Sequence, residues 1–359
     1  MARVTILMPV FNRERFVNEA IESVVRQDFA DFKLLIVDDG STDRTPDILE
    51  VWSNREPRIV VIRSERNQGI PAALNLGLAH VRTGYVARLD SDDLMMPGRL
   101  AAQASILDSR PEVVLVSCAF EIIDAEGRYL GTWLADEPHE VVTYLLGFFN
   151  IVAGGGQVMF RFAEVLSEGG YNCDYPTSED YDLWVRLLRR GRIVTLPFVG
   201  MRKRQHEGNS ELQYAGVKRT NWNAIMRKAL EPYLKRRVRD DEIAALITVW
   251  RHDETLGMGA VADGIMRETF AHFCREHDER DLQRCARRRI ARGWLDAAGM
   301  FAARRHREEA TKFFWRAVRW SPTIASDWAL DRCPAPFHRF ARALCPFLWG
   351  ARRILDFRG

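Results

Sequence analysis

The stretch Arg88-Leu89-Asp90-Ser91-Asp92-Asp93 decides how the rest of this chain is read. The run Tyr85-Val86-Ala87 leads into three carboxylates within four positions, and Met95-Met96-Pro97 follows. Like charges this close repel. A strand ending on them calls for a cation or a polyhydroxyl ligand, unless the stretch is only a solvated turn. Hard cations such as Mg²⁺ and Mn²⁺ take carboxylate oxygens and bridge to substrate phosphates. A D-x-D at a strand end therefore fits a metal–diphosphate clamp, and the surrounding sequence has to choose between clamp and turn.

Upstream, Val4 to Met8 is a short apolar run closed by Pro9 and Asn12, as suits a strand buried on both faces of a parallel sheet. From about Glu14 to Gln27 the apolar residues Phe16, Ala20, Ile21, Val24 and Val25 recur with helical spacing. A second strand, Leu34 to Val37, runs into Asp38-Asp39-Gly40-Ser41-Thr42-Asp43, which supplies turn chemistry and an N-cap for a helix from Pro46 to Trp52. A third strand, Ile59 to Ile62, precedes Asn67-Gln68-Gly69 and a helix through Ala72, Ala73, Leu76 and Ala79. The fourth, Tyr85 to Leu89, ends at the acidic cluster. This alternation marks a doubly wound α/β sheet, in which ligands bind beyond the carboxyl ends of the strands. Phe11, Asp39, Asn67 and Asp92 fall at four such ends. Their convergence favours the clamp.

The segments Val4 to Asn12 (VTILMPVFN) and Val37 to Thr45 (VDDGSTDRT), the Asn67-Gln68-Gly69 loop and Asp90 to Asp93 together resemble the inverting glycosyltransferases of family 2. The resemblance covers residues 2 to 210 and implies the GT-A fold, a Rossmann-like mixed sheet flanked by helices. It also implies a nucleotide-diphospho-sugar donor and Mn²⁺ or Mg²⁺. Residue by residue, Phe11 packs on the nucleobase, with Pro9 and Asn67 also at the nucleotide, and Asp39 accepts from the base imide. Asp90 contacts the ribose or a metal-bound water, and Asp92 ligates the metal.

Further along, Val113 to Phe120 reads as a buried strand, and Glu121 to Thr132 as a hairpin around Glu126-Gly127. Gly154-Gly155-Gly156 precedes Val158 to Arg161, but no Gly-Lys-Ser/Thr follows, so a P-loop is rejected. The glycines mark either a close approach of backbone to ligand or a plain bend. The family resemblance puts Gly155 beside the donor sugar and acceptor. In Ser178 to Leu187, Ser178 is placed to cap a helix whose apolar face is Leu183, Trp184, Leu187 and Leu188. Glu179 and Asp180 lie in its first turn, where the helix dipole favours ionised carboxylates. Either they only stabilise the helix start or one is a general base. The resemblance makes that base Asp180, with Glu179 and Trp184 beside the sugars. Arg202 to Ser210 resembles the family's closing segment, a basic strand end followed by His206 and a downstream Ser210, with His206 as third metal ligand or phosphate donor and Arg202 to Arg204 as alternative phosphate screens.

The 359 residues suit two domains, expected at 1–210 and 211–359, the second helical and arginine-rich. A net charge of +3 is too small to argue for nucleic acid. The six cysteines lack paired or metal-ligand spacing, so reduced thiols are expected. The chain starts directly with a strand pattern, without a charged-then-apolar leader, and no apolar run approaches the roughly 18 residues of a membrane span. The expectation is cytoplasmic. Ile290 to Pro322 is spaced like a tetratricopeptide-type helical hairpin. Arg316-x-x-Arg319-Trp320 only superficially matches the Gln-x-x-Arg-Trp motif of processive family members, and processivity is rejected. Ala335 to Phe357 is basic and amphipathic, fit either to dock on the protein or to lie peripherally on an anionic membrane.

The expected activity is metal-dependent inverting transfer from a nucleotide sugar, UDP-sugars favoured, to a hydroxyl of a glycan, lipid-linked or protein acceptor in surface glycan synthesis. Two alternatives stand beside it. A GT-A-like nucleotidyltransferase would want a glycine-rich basic loop where Pro9-Val10-Phe11-Asn12 lies. An inactive nucleotide-sugar or glycan binding module would not need Asp90, Asp92 and Asp180 together.

Overall fold

A computed structural model of the chain describes residues 2–209, 215–250 and 256–324. The strands β1 (Val4–Val10), β2 (Phe32–Asp38), β3 (Ile59–Arg63) and β4 (Tyr85–Arg88) run parallel in the spatial order β3-β2-β1-β4. Helices α1 (Val17–Val25), α2 (Thr45–Arg55) and α3 (Ile70–His80) connect them. Every residue of β1 is buried. Ile6, Met8 and Val10 share a core with Val17, Ile21 and Val24 of α1. Leu7 points the other way, to α3, whose Gly77 comes so near that an added Cβ would collide with Leu7 and press on Val37. Two buried faces are why this strand reads as an unbroken apolar run. Each Val, Leu or Ile so buried contributes about 1.5–3 kcal/mol.

Beyond β4 the sheet becomes mixed. The elements are β5 (Leu94–Met95), α4 (Arg99–Ser109), β6 (Val113–Ile123), β7 (Tyr129–Trp133), α5 (His139–Leu145), β8 (Met159–Arg161), α6 (Phe162–Ser167), α7 (Glu179–Leu187) and β9 (Arg192–Arg204). β8 runs antiparallel between β4 and β6, β9 lies parallel to β6, and β5 pairs antiparallel with β9. The path is β3-β2-β1-β4-β8-β6-β9-β5, with β7 paired to β6. The hairpin expected around Glu126-Gly127 is the β6–β7 turn, with Gly127 at φ 85°.

Two local expectations are corrected and one strand is extended. α1 begins at Val17, not near Glu14, because the amides of Arg13 and Glu14 go to Thr45 Oγ1 and Asp43 Oδ2 and lock this segment to the β2–α2 loop. Ser178 occupies the N-cap position of α7, yet its buried Oγ makes no hydrogen bond; its main-chain carbonyl takes the Asp182 amide instead. The basic strand end read at Arg202 to Arg204 is the end of β9, whose body from Arg192 on escaped the sequence reading. Its centre steps out of register with β6 between Leu196 and Val199, around Pro197, whose missing N–H cannot join a ladder.

Packing divides the chain into two compact units. One is the chain to Leu146 with Asn150–Ile225; the other is Gly147–Phe149 with the described residues from Met226 on. The division falls within α8 (Ala215–Leu234). The second unit holds α9 (Asp240–Trp250), α10 (Gly259–Glu276), α11 (Arg280–Ala303) and α12 (Arg307–Trp320). α11 and α12 pack together over the segment read as a helical hairpin, with Phe313 at 4.9 Å from the Trp294 ring and 5.0 Å from Phe301. Trp320 is buried and donates to Asp263 at 2.8 Å, so Arg316 to Trp320 serves helix packing. No described helix is long and apolar enough to cross a membrane. Ser210 and the Ala335 to Phe357 pattern lie outside the described residues.

Candidate active site

The loops after β1 to β4 leave one edge of the parallel sheet, and hydrogen bonds knit them into one surface. Asn12, at φ 50°, donates its amide to Ser41 Oγ and accepts the Thr42 amide on Oδ1. Asp38 accepts the Ser41 amide at 2.9 Å. Asp39 is buried and accepts the amides of Gln68 at 3.0 Å and Gly69 at 2.8 Å, which fixes the loop that carries exposed Asn67. Gly40 makes this approach possible, since a Cβ there would stand 2.7 Å from the Arg66 main chain. Phe11 is 36% exposed at the end of β1, whereas Pro9 is buried past the Val4–Leu7 stretch that pairs with β4.

In the acidic cluster, Asp92 Oδ2 lies 2.9 Å from His206 Nε2 and 3.2 Å from Arg13 Nε. Burial alone would raise the Asp92 carboxyl, but the His206 hydrogen bond and the Arg13 charge prevail and hold it below the usual range. Asp93 goes the other way: burial, then the charges of Asp92 and Asp90, push it well up, while its Oδ1 takes the Arg204 amide. Asp90 accepts from Arg88 Nη2 at 3.1 Å, and its side chain is 33% exposed.

The glycine triplet closes the site from the side of β8. A Cβ on Gly156 would stand 3.3 Å from Asp90 Oδ2, and one on Gly154 would stand 4.0 Å from Asp180 Oδ2. One on Gly155 would collide with the Arg88 guanidinium. The group that Gly155 lets in close to the backbone is the protein's own Arg88.

At the start of α7 the two carboxylates differ. Glu179 is buried and accepts from Arg88 Nη1 at 3.1 Å; burial raises its carboxyl to about 7, Arg88 opposing and Asp180 adding. The helix start therefore does not hold Glu179 firmly ionised, and its burial turns it to Arg88 and away from a sugar. Asp180 is half-buried, and Asn150 Nδ2 donates to its Oδ2 at 3.2 Å. Trp184 is fully buried near Phe160 and has no face for a sugar, because the apolar face of α7 takes it into the core. Two arginines of the basic run before His206 pair with carboxylates of the chain itself. Arg202 pairs with Glu121 at 2.8 Å; buried Arg204 pairs with Glu19 at 2.7 Å.

Sequence reasoning missed Arg13, Arg88 and Asn150 as site residues. Arg88 left a signal: a cation in an otherwise apolar strand must find buried partners, because an unpaired buried charge is very costly. Arg13 and Asn150 left none.

Among the described residues no three His, Cys, Asp or Glu side chains gather into a metal cluster. Asp92 Oδ2 and His206 Nε2 are nonetheless an oxygen–nitrogen pair at 2.9 Å, with Asp90 in the same loop. Such an open set fits Mg²⁺ or Mn²⁺, which completes its shell with water and substrate phosphates.

The mixed sheet, with the loops after β1 to β4 gathered at its parallel edge, is the GT-A arrangement, and the comparisons with known proteins place the chain among glycosyltransferases. The profile of Glycosyl transferase family 2 matches residues 5–165. Amylovoran biosynthesis glycosyltransferase AmsE of Erwinia amylovora is 31% identical over 227 residues, which span 62% of this chain and 81% of AmsE. Among solved structures, S. aureus TarS 1–349 in complex with UDP-GlcNAc matches with a TM-score of 0.56 at 17% identity, over 88% of this chain and 90% of that one. Mannosyltransferase PcManGT from Pyrobaculum calidifontis, in complex with GDP-Man and Mn²⁺, matches with a TM-score of 0.53 at 17% identity, over 90% and 87%. The chain belongs to glycosyl transferase family 2 and is a transferase enzyme.

Proposed function

We propose that this chain is a metal-dependent, inverting glycosyltransferase that moves a sugar from a nucleoside-diphosphate donor, UDP-sugars first, to an acceptor hydroxyl in polysaccharide synthesis. One observation carries the reading. The loop Gly154–Gly156 has Asp90, next to the Asp92–His206 pair, at one end and Asp180 at the other. In this reading donor clamp and base stand at the two ends of one three-residue loop. The names of relatives support the substrate class: AmsE acts in amylovoran biosynthesis, and the TarS and PcManGT structures hold UDP-GlcNAc and GDP-Man.

In this reading the exposed ring of Phe11 stacks on the base, and Asp39 with the Asn67–Gly69 loop it fixes forms the base pocket. Asp92 and His206, with Asp90 beside them, would hold a cation, which would supply positive charge to the leaving diphosphate. Asp180, half-buried and oriented by Asn150, takes the proton from the acceptor hydroxyl. The acceptor oxygen bonds to the anomeric carbon as that carbon's bond to the diphosphate oxygen breaks. A single displacement from the far face inverts the configuration.

The test is a panel of UDP-, GDP- and dTDP-sugars scored for Mn²⁺-dependent binding and for slow donor hydrolysis. A UDP-sugar is expected to show both. Binding of none of the panel would sink the proposal.

A further inference from the structure

Arg88 bonds to both halves of the site. Nη2 donates to Asp90 Oδ1 and Nη1 to Glu179 Oε1, each at 3.1 Å, across 2 and 91 positions of sequence. The guanidinium sits 5.8 Å from the centre of the Tyr171 ring, in space that Gly155 leaves open. The Arg88 side chain is 5% exposed, as is that of Glu179. A buried ion pair is a poor source of stability, since desolvation of each ion costs several kcal/mol and an apolar replacement is often as stable. What the pair does supply is geometry. It ties the loop after β4 to the residue beside Asp180.

We propose that Arg88 is a positioning residue: its two-pronged bridge sets the start of α7, and with it Asp180, in register with the Asp90 loop. The proposal rests on the functional reading above and deepens it by assigning Arg88 and Gly155 to the site. Binding of a nucleotide at the Asp90 loop is then felt at α7, a coupling between two places through one side chain. A displacement of about 1 Å at a reacting group costs roughly 10²-fold in rate, so such a strut matters. Lysine cannot replace it. Its charge sits on one nitrogen, whereas Arg88 spends two nitrogens on two carboxylates in a fixed plane.

The test is amide hydrogen exchange on the full chain with UDP and Mn²⁺ as the probe, comparing wild type, Arg88→Lys and Gly155→Ala. In the wild type the probe should slow exchange both at 89–93 and at 178–182. In Arg88→Lys the first protection stays and the second is lost. Gly155→Ala, which displaces the guanidinium without changing its charge, should give the same pattern. A purely structural Arg88 would lose both protections together or neither, and either result overturns the proposal. A wild type that binds none of UDP, GDP or dTDP overturns the functional reading and this coupling with it. A wild type that binds while Arg88→Lys keeps its protection at 178–182 overturns the coupling alone.

Discussion

His206 Nε2 lies 2.9 Å from Asp92 Oδ2, although 114 positions separate the two residues. The imidazole is held there from several sides. Asn209 Oδ1 accepts the His206 amide, and the Phe16 ring stands 4.6 Å away. The pair brings the segment after β9 against the loop after β4, which no local pattern in the sequence would do.

The first prediction follows from that contact. Asp92→Ala should abolish the Mn²⁺-dependent part of UDP affinity while the fold persists. His206→Ala, which removes one of the two proposed ligands, should weaken the Mn²⁺-dependent part without abolishing it. Calorimetric titration of UDP with and without Mn²⁺ measures both. Unchanged Mn²⁺-dependent affinity in Asp92→Ala would refute the clamp.

Asp39 has two duties, and its removal should show both. Asp39→Ala strands the amides of Gln68 and Gly69, and hydrogen bonds to a charged group contribute about 1.5–3 kcal/mol. Melting temperature and UDP affinity should fall together. Affinity for bare diphosphate with Mn²⁺ should stay, because that ligand has no base to reach the Asp39 loop. Equal losses for UDP and diphosphate would contradict this assignment.

These two positions also show which parts of the molecule the sequence carries openly. β1, β2 and β4 are legible because burial on both faces leaves nearly continuous apolar runs, the edge strand β3 because its Ile-Val-Val-Ile run is apolar although only half-buried, and the parallel edge puts Phe11, Asp39, Asn67 and Asp92 at equivalent strand ends. Long-range side-chain contacts leave no such trace. Arg13 reaches Asp92 and the Gly208 carbonyl, and Asn150 reaches Asp180, through folding that no spacing encodes. Trp184 shows the opposite failure. Its helical spacing marked the core face of α7, and the expectation of a sugar contact set that periodicity aside. The body of β9 was hidden because its partner residues on β6 lie 78 to 81 positions away, and because Pro197 breaks its pattern.

The raised Glu179 carboxyl gives a pH signature. Burial lifts it from an ordinary value of 4.5 to about 7, with Arg88 opposing. Between those values the folded chain holds a proton that the unfolded chain has released, so folding stability falls as pH rises from about 4.5 to about 7. The contribution is fully present below the unfolded value and is lost through the folded one. Urea unfolding at a series of pH values should show this slope in the wild type, and Glu179→Gln should remove it. Parallel profiles for the two proteins would mean that Glu179 does not titrate in that window.

The last prediction concerns the proton. Asp180→Asn keeps the size of the side chain and an oxygen for the Asn150 amide, but removes the basicity. Donor and metal affinity should therefore persist while transfer falls by roughly 10²–10⁴-fold, the range for losing a general base. Glu179 is the rival, adjacent and acidic. Neighbours at a helix start point about 100° apart, since a turn takes about 3.6 residues, so only one of them can face the anomeric carbon. The structure separates them further: Glu179 is buried on Arg88, whereas Asp180 is half-buried beside Gly154. Glu179→Gln should lose less transfer than Asp180→Asn at equal donor affinity, because an amide oxygen can still accept from Arg88. Transfer abolished by Glu179→Gln and retained by Asp180→Asn would move the base by one residue.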